Sequence, residues 1–131
     1  MACTCDIDRI AFSIPESLHE IAPDEASALE ICPRCLDLTP AAPEAVAADP
    51  EFTRIVSEFP SGAAGAAMAL ALGLLVDSVA MHREAVGDCF DIVAEAGTDP
   101  WIVIERLAVA PTVQPDADLD RIRRQLDQLT D

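Results

Sequence analysis

Lysine, tyrosine and asparagine are absent from this chain of 131 residues, and aromatic side chains make up only 4% of it. Ala, Val, Leu and Ile must therefore fill the core, and such side chains suit close-packed helices. No Gly-rich phosphate loop, His-Glu-x-x-His pattern or Gly-x-Ser-x-Gly elbow occurs, so the common signatures of phosphate binding and hydrolysis are missing. A signal peptide is not visible either. Met1 to Arg9 is short, polar and Cys-bearing, with no apolar core after it, which points to a cytoplasmic setting. The longest apolar run, Gly62 to Val76, has 15 residues, short of the ~18 to 20 a bilayer requires. A helix apolar on every side is otherwise a central core helix.

Positive charge is also scarce. There are 24 acidic residues against 8 basic ones, all of them Arg, for a net charge of -16. A disordered acidic chain would lack hydrophobic mass, whereas this one is 51% hydrophobic with a mean hydropathy of +0.26. The balance fits a folded protein adapted to concentrated salt, where screening over a few ångströms lets a carboxylate-rich surface stay soluble without repelling itself.

Along the chain, Ile10 to Ile14 reads as a short strand closed by Pro15. Glu16 to Ile21 reads as a helical turn. Ala28 to Ile31 leads as a second strand into Cys32-Pro33-Arg34-Cys35, and Leu36 to Leu38 leaves it as a third. Asp49 and Pro50 then form a cap signal, and Phe52, Ile55, Val56 and Phe59 at helical spacing predict a helix stopped by Pro60. Ser61 is placed to cap a long helix running to Met81. Arg83 to Ala96 predicts a further helix ended by Gly97. Asp99-Pro100 opens a short helix from Trp101 to Ala110, and Asp116 opens a last one with Leu119, Ile122, Leu126 and Leu129 as its apolar stripe.

The chemistry lies in the cysteines. Cys3-x-Cys5 and Cys32-x-x-Cys35 stand 26 residues apart. Zinc takes four soft ligands in a tetrahedron, and a Cys-x-x-Cys turn supplies two from one tight loop. The spacer is long enough for a strand, a turn and a returning strand, so both pairs can meet at one end of a hairpin. Metal binding would then supply folding free energy on the order of 10 kcal/mol to a sheet with little core of its own. Asp6 or His19 could replace one thiolate. A redox dithiol at Cys32 and Cys35 is the rival reading, but it gives Cys3 and Cys5 no role. Four thiolates would close the coordination sphere, which marks a structural ion rather than a catalytic one.

MACTC, AFSIPESL, ICPRCLDL and DPEFTRIVSEFPSGAAGAAMALALGLLVDS together resemble a haloarchaeal family of unknown function with an N-terminal zinc ribbon and a helical C-terminal part. The resemblance covers most of the chain. It implies a halophilic origin and zinc binding through Cys3, Cys5, Cys32 and Cys35, and it implies no activity.

The remaining chemistry-bearing residues have plainer readings. Cys89 sits on the apolar face of its helix as a small core residue. His19 reads as a surface residue and His82 as a helix-junction residue. Asp77 marks the solvent edge of the apolar helix or pairs with an Arg. Trp101 anchors its short helix, with a partner-facing role as the alternative. Arg121, Arg123 and Arg124 lie among Asp116, Asp118, Asp120 and Asp127, a solvated face with i,i+4 pairs rather than a phosphate site.

The fold expected is α+β and mostly α. A small zinc-ribbon β-hairpin spans residues 1–39, a linker 40–48, and a bundle of about five helices 49–131. The function expected is a non-enzymatic zinc-binding protein of a halophile, an adaptor for an unknown protein partner holding one structural zinc ion. A zinc-ribbon nucleic-acid-binding or transcription-related factor is the first alternative and a cysteine-pair redox protein the second. Arg34 and Arg9 are the only basic points on the ribbon, which disfavours nucleic acid, and no membrane or small-molecule substrate is indicated. A second copy of the chain is a candidate to finish covering the apolar helix, giving a homodimer.

Overall fold

A computed structural model describes residues 5, 7–22, 26–46, 48–115 and 119–130. Three short strands form an antiparallel sheet in the order β1 (Ile10–Ser13), β2 (Ala28–Ile31), β3 (Leu38–Pro40). Alternation places Ile10 and Phe12 of β1 on one face, opposite Ile31 and Leu29 of β2. All four are buried. The third strand begins at Leu38 rather than at Leu36, because Leu36 takes a left-handed backbone with φ of 65° and cannot continue a ladder. The turn after Pro15 is a 3-10 turn, Glu16–Leu18, which buries Leu18 in the core.

The described helices are α1 (Gly62–Asp77), α2 (Val79–Glu95), α3 (Pro100–Val109) and α4 (Leu119–Thr130), four rather than about five. The expected helix through Phe52 and Phe59 is only a 3-10 turn, Phe52–Arg54, followed by irregular chain. Residues seven apart in an α-helix stand about 10.5 Å apart along its axis. The rings of Phe52 and Phe59 instead stack with centroids 5.5 Å apart, which requires the chain to double back between Pro50 and Pro60. The apolar residues still do what their spacing indicated, since Phe52, Ile55 and Phe59 are all buried.

The long apolar helix also ends sooner than its hydropathy suggests. At Ser78 the backbone turns extended, with φ of -166° and ψ of 117°, and the chain restarts as α2. The Ser78 hydroxyl accepts the Met81 N–H at 3.2 Å, satisfying one of the first-turn donors that a helix leaves unpaired. Ser61, by contrast, precedes α1 without making a side-chain cap. At the far end of α2, Gly97 (φ 94°) donates to Ala94 and Thr98 donates to Val93, so a Schellman turn closes the helix. Asp99 caps α3 through the Trp101 N–H at 2.9 Å, with Pro100 at its first position. The expected cap of α4, Asp116, lies outside the described residues.

One hydrophobic core joins sheet and helices, running from Ile10, Phe12 and Leu29 through Met68, Leu72 and Leu75 to Val93, Ile104 and Ile122. At its centre α1 buries eleven of its sixteen residues, Leu70, Leu72, Leu74 and Leu75 among them. Each such leucine contributes about 2 kcal/mol of apolar burial. Two glycines let α1 approach its neighbours. A Cβ on Gly73 would collide with the Leu38 side chain of β3, and one on Gly65 would meet the Phe52 ring and the Pro60 carbonyl. Among the described residues, no helix is long and apolar enough to cross a membrane.

Candidate metal centre

Three of the four cysteines expected as ligands converge. The sulfurs of Cys5, Cys32 and Cys35 all lie within 4.8 Å of one another, close enough to hold a metal ion. The fourth, Cys3, lies outside the described residues, as does Asp6. His19, the other candidate, is not in the cluster, and its Nε2 faces the Ile14 carbonyl oxygen at 2.9 Å.

The local sequence builds the site as follows. β2 delivers Cys32 at its end, with its side chain buried. Pro33 and Arg34 turn the chain, and Cys35 returns half-exposed. Two backbone hydrogen bonds close the loop, Leu36 N–H to the Cys32 carbonyl at 2.9 Å and Cys32 N–H to the Asp37 carbonyl at 3.0 Å. The left-handed Leu36 makes both possible. A leucine there costs about 1–2 kcal/mol of backbone strain, which its buried side chain offsets. Cys5 approaches from the segment that leads into β1.

Two contacts that sequence reasoning did not foresee hold this knuckle to the rest of the chain. Gln114, in the loop between α3 and α4, donates its N–H to the Arg34 carbonyl at 2.6 Å, and its Oε1 accepts from Arg34 Nη2 at 2.8 Å. On the other side, Arg9 reaches across the sheet. It donates to Thr39 Oγ1 at 3.1 Å, lies 3.5 Å from Asp37 Oδ2 and 3.9 Å from Glu30 Oε1, and Thr39 in turn donates to Glu30. Asp37 Oδ2 is sealed from water without a hydrogen bond of its own, so the ionic contact with Arg9 is what compensates its burial. No signal in the sequence marks Gln114. The Arg9, Glu30 and Asp37 charges were visible, but their meeting depends on strand register.

Other residues singled out earlier fall elsewhere. Cys89 is fully buried in the core, and burial together with the Asp88 charge pushes its thiol up to about 12. His82 Nε2 lies 2.8 Å from Asp77 Oδ2, so the end of α1 and the start of α2 are joined through this pair rather than by an arginine. Trp101 is half-buried and meets Phe90 edge to face, centroids 6.0 Å apart. Arg123 pairs with Glu105 of α3 at 3.0 Å.

Comparison with known proteins places the chain but gives it no activity. The chain belongs to the family of unknown function DUF6276, whose profile matches residues 2–130. No curated protein and no solved structure matches it.

Proposed function

We propose that this protein is a non-enzymatic zinc-binding adaptor of a halophile's cytoplasm. Its single zinc ion is structural, held by Cys5, Cys32 and Cys35 with Cys3 as the fourth thiolate. The observation that carries this is the meeting of three thiols from two distant segments within 4.8 Å. A redox pair would need only Cys32 and Cys35, so the third thiol weighs toward metal. Soft sulfur donors in a compact cluster favour zinc over hard cations. With four thiolates no coordination position stays open for substrate, which is why the ion is read as structural.

The adaptor part of the reading rests on exposed apolar side chains. Met81 is 76% exposed on α2, and Ile102 and Val109 are 47% and 76% exposed on α3. The partner is another protein. A second copy of this chain is the alternative, although α1, the helix whose apolar surface suggested one, is already covered by the chain's own elements. Nucleic-acid binding is weakened by Arg9 and Arg34, the two cations of the metal-bearing part, being engaged with Asp37 and Gln114. Affinity capture from a halophile lysate in high salt tests the reading. A partner retained by the zinc-loaded chain and lost on chelation is expected; recovery of nothing above background would remove the adaptor role.

A further inference from the structure

The turn between α2 and α3 builds a groove of about 520 Å³, and none of the described residues fills it. Phe90 and Trp101 meet there with their rings inclined at 69°, forming an aromatic corner. Asp91, Gly97, Asp99 and Pro100 line the same groove. Among the described residues neither carboxylate has a cationic partner in an ion pair.

We infer that this groove receives an arginine side chain from a protein partner. A guanidinium is planar, stacks on aromatic faces and donates to carboxylates from its edge, so one group can use both wall types together. The backbone adds to the preference. Ala94 and Gly97 bring the C-terminal end of α2, with its negative partial charge, to the groove. The N-terminus of α3 would repel a cation, but Asp99 already covers it through the Trp101 N–H. The apolar share of the lining suits hydrophobic residues flanking the arginine. This inference rests on the adaptor reading and gives its partner a chemistry.

Trp101 is the only tryptophan, so its emission reports on the groove directly. The probe is an acetylated, amidated Ala-Leu-Arg-Leu-Ala peptide, titrated into the zinc-loaded full chain at the lowest salt that keeps it folded. The same peptide with citrulline, a neutral isostere, is the control. A saturable change is expected with the arginine peptide and about tenfold weaker binding of the citrulline peptide. A comparable loss is expected in the double variant Asp91→Asn, Asp99→Asn, which keeps its helix cap because asparagine caps as well as aspartate. Equal binding of both peptides, unchanged binding by the double variant, or no saturable response would each overturn the inference. Capture by wild type and double variant in parallel separates it from the adaptor reading. A partner held equally by both removes the arginine site and leaves the adaptor, while absence of any partner removes the adaptor and leaves the titration to decide the site.

Discussion

Leu36 and Cys89 are the residues at which local chemistry departs furthest from the ordinary. Leu36 is fully buried in a left-handed backbone. Replacing it with alanine loses the burial and keeps the strain, at about 3–5 kcal/mol. Replacing it with glycine also loses the burial but relieves about 1–2 kcal/mol of strain. Chemical denaturation should therefore rank Leu36→Gly above Leu36→Ala in stability, the reverse of their order in a helix interior; the opposite ranking would mean the knuckle does not need the left-handed turn. Cys89 offers a pH test. Its thiol titrates near 9.0 when unfolded and near 12 when folded. The folded pKa is raised, so the contribution is complete below pH 9 and is lost as pH climbs toward 12, by at most about 4 kcal/mol. Lysine and tyrosine, which usually obscure this range, are absent. The stability of the zinc-loaded chain should fall across that window, and Cys89→Ala should flatten the slope. In alkylation at neutral pH, Cys89 should stay unmodified until the chain unfolds.

At the scale of elements, helix ends and close approaches decide how the sheet and helices meet. Ser78→Ala removes the cap of α2 and should cost about 1 kcal/mol, while Ser78→Asp should cost little; equal losses in thermal melts would place the break between α1 and α2 elsewhere. Gly73→Ala drives a methyl group into Leu38. It should destabilise by about 1–3 kcal/mol, and Leu38→Ala in the same chain should recover part of that loss. The elements were legible in the sequence to different degrees. Strands β1 and β2 and the Asp99 and Gly97 helix ends followed from apolar alternation and local cap chemistry, which short segments carry within themselves. The Phe52 helix did not form, and the Phe52–Phe59 stack needs a fold-back that an α-helix does not allow. The break at Ser78 was hidden by apolar residues on both sides, although Asp77-Ser78 is itself a cap signal. That Cys5, Cys32 and Cys35 come together was legible from their spacing. The Gln114 latch and the Arg9 cluster were not, since both depend on contacts distant in sequence.

For the whole molecule, sheet and helices share one core, so the metal and the helices should stand or fall together. Chelation should lower the melting of helical circular dichroism as well as expose the cysteines; loss of the sheet with unchanged helix melting would mean two independent units. The charge of -16 should make stability rise with salt, and a melting temperature flat from dilute to molar salt would contradict a halophilic reading. The zinc ion is open to native mass spectrometry of chain purified in salt and exchanged quickly into volatile buffer. One zinc per chain is expected, lost in Cys32→Ser and in Cys5→Ser. A metal-free chain lighter by two protons for each pair of cysteines would contradict it, and would make the cluster a site of disulfide chemistry instead.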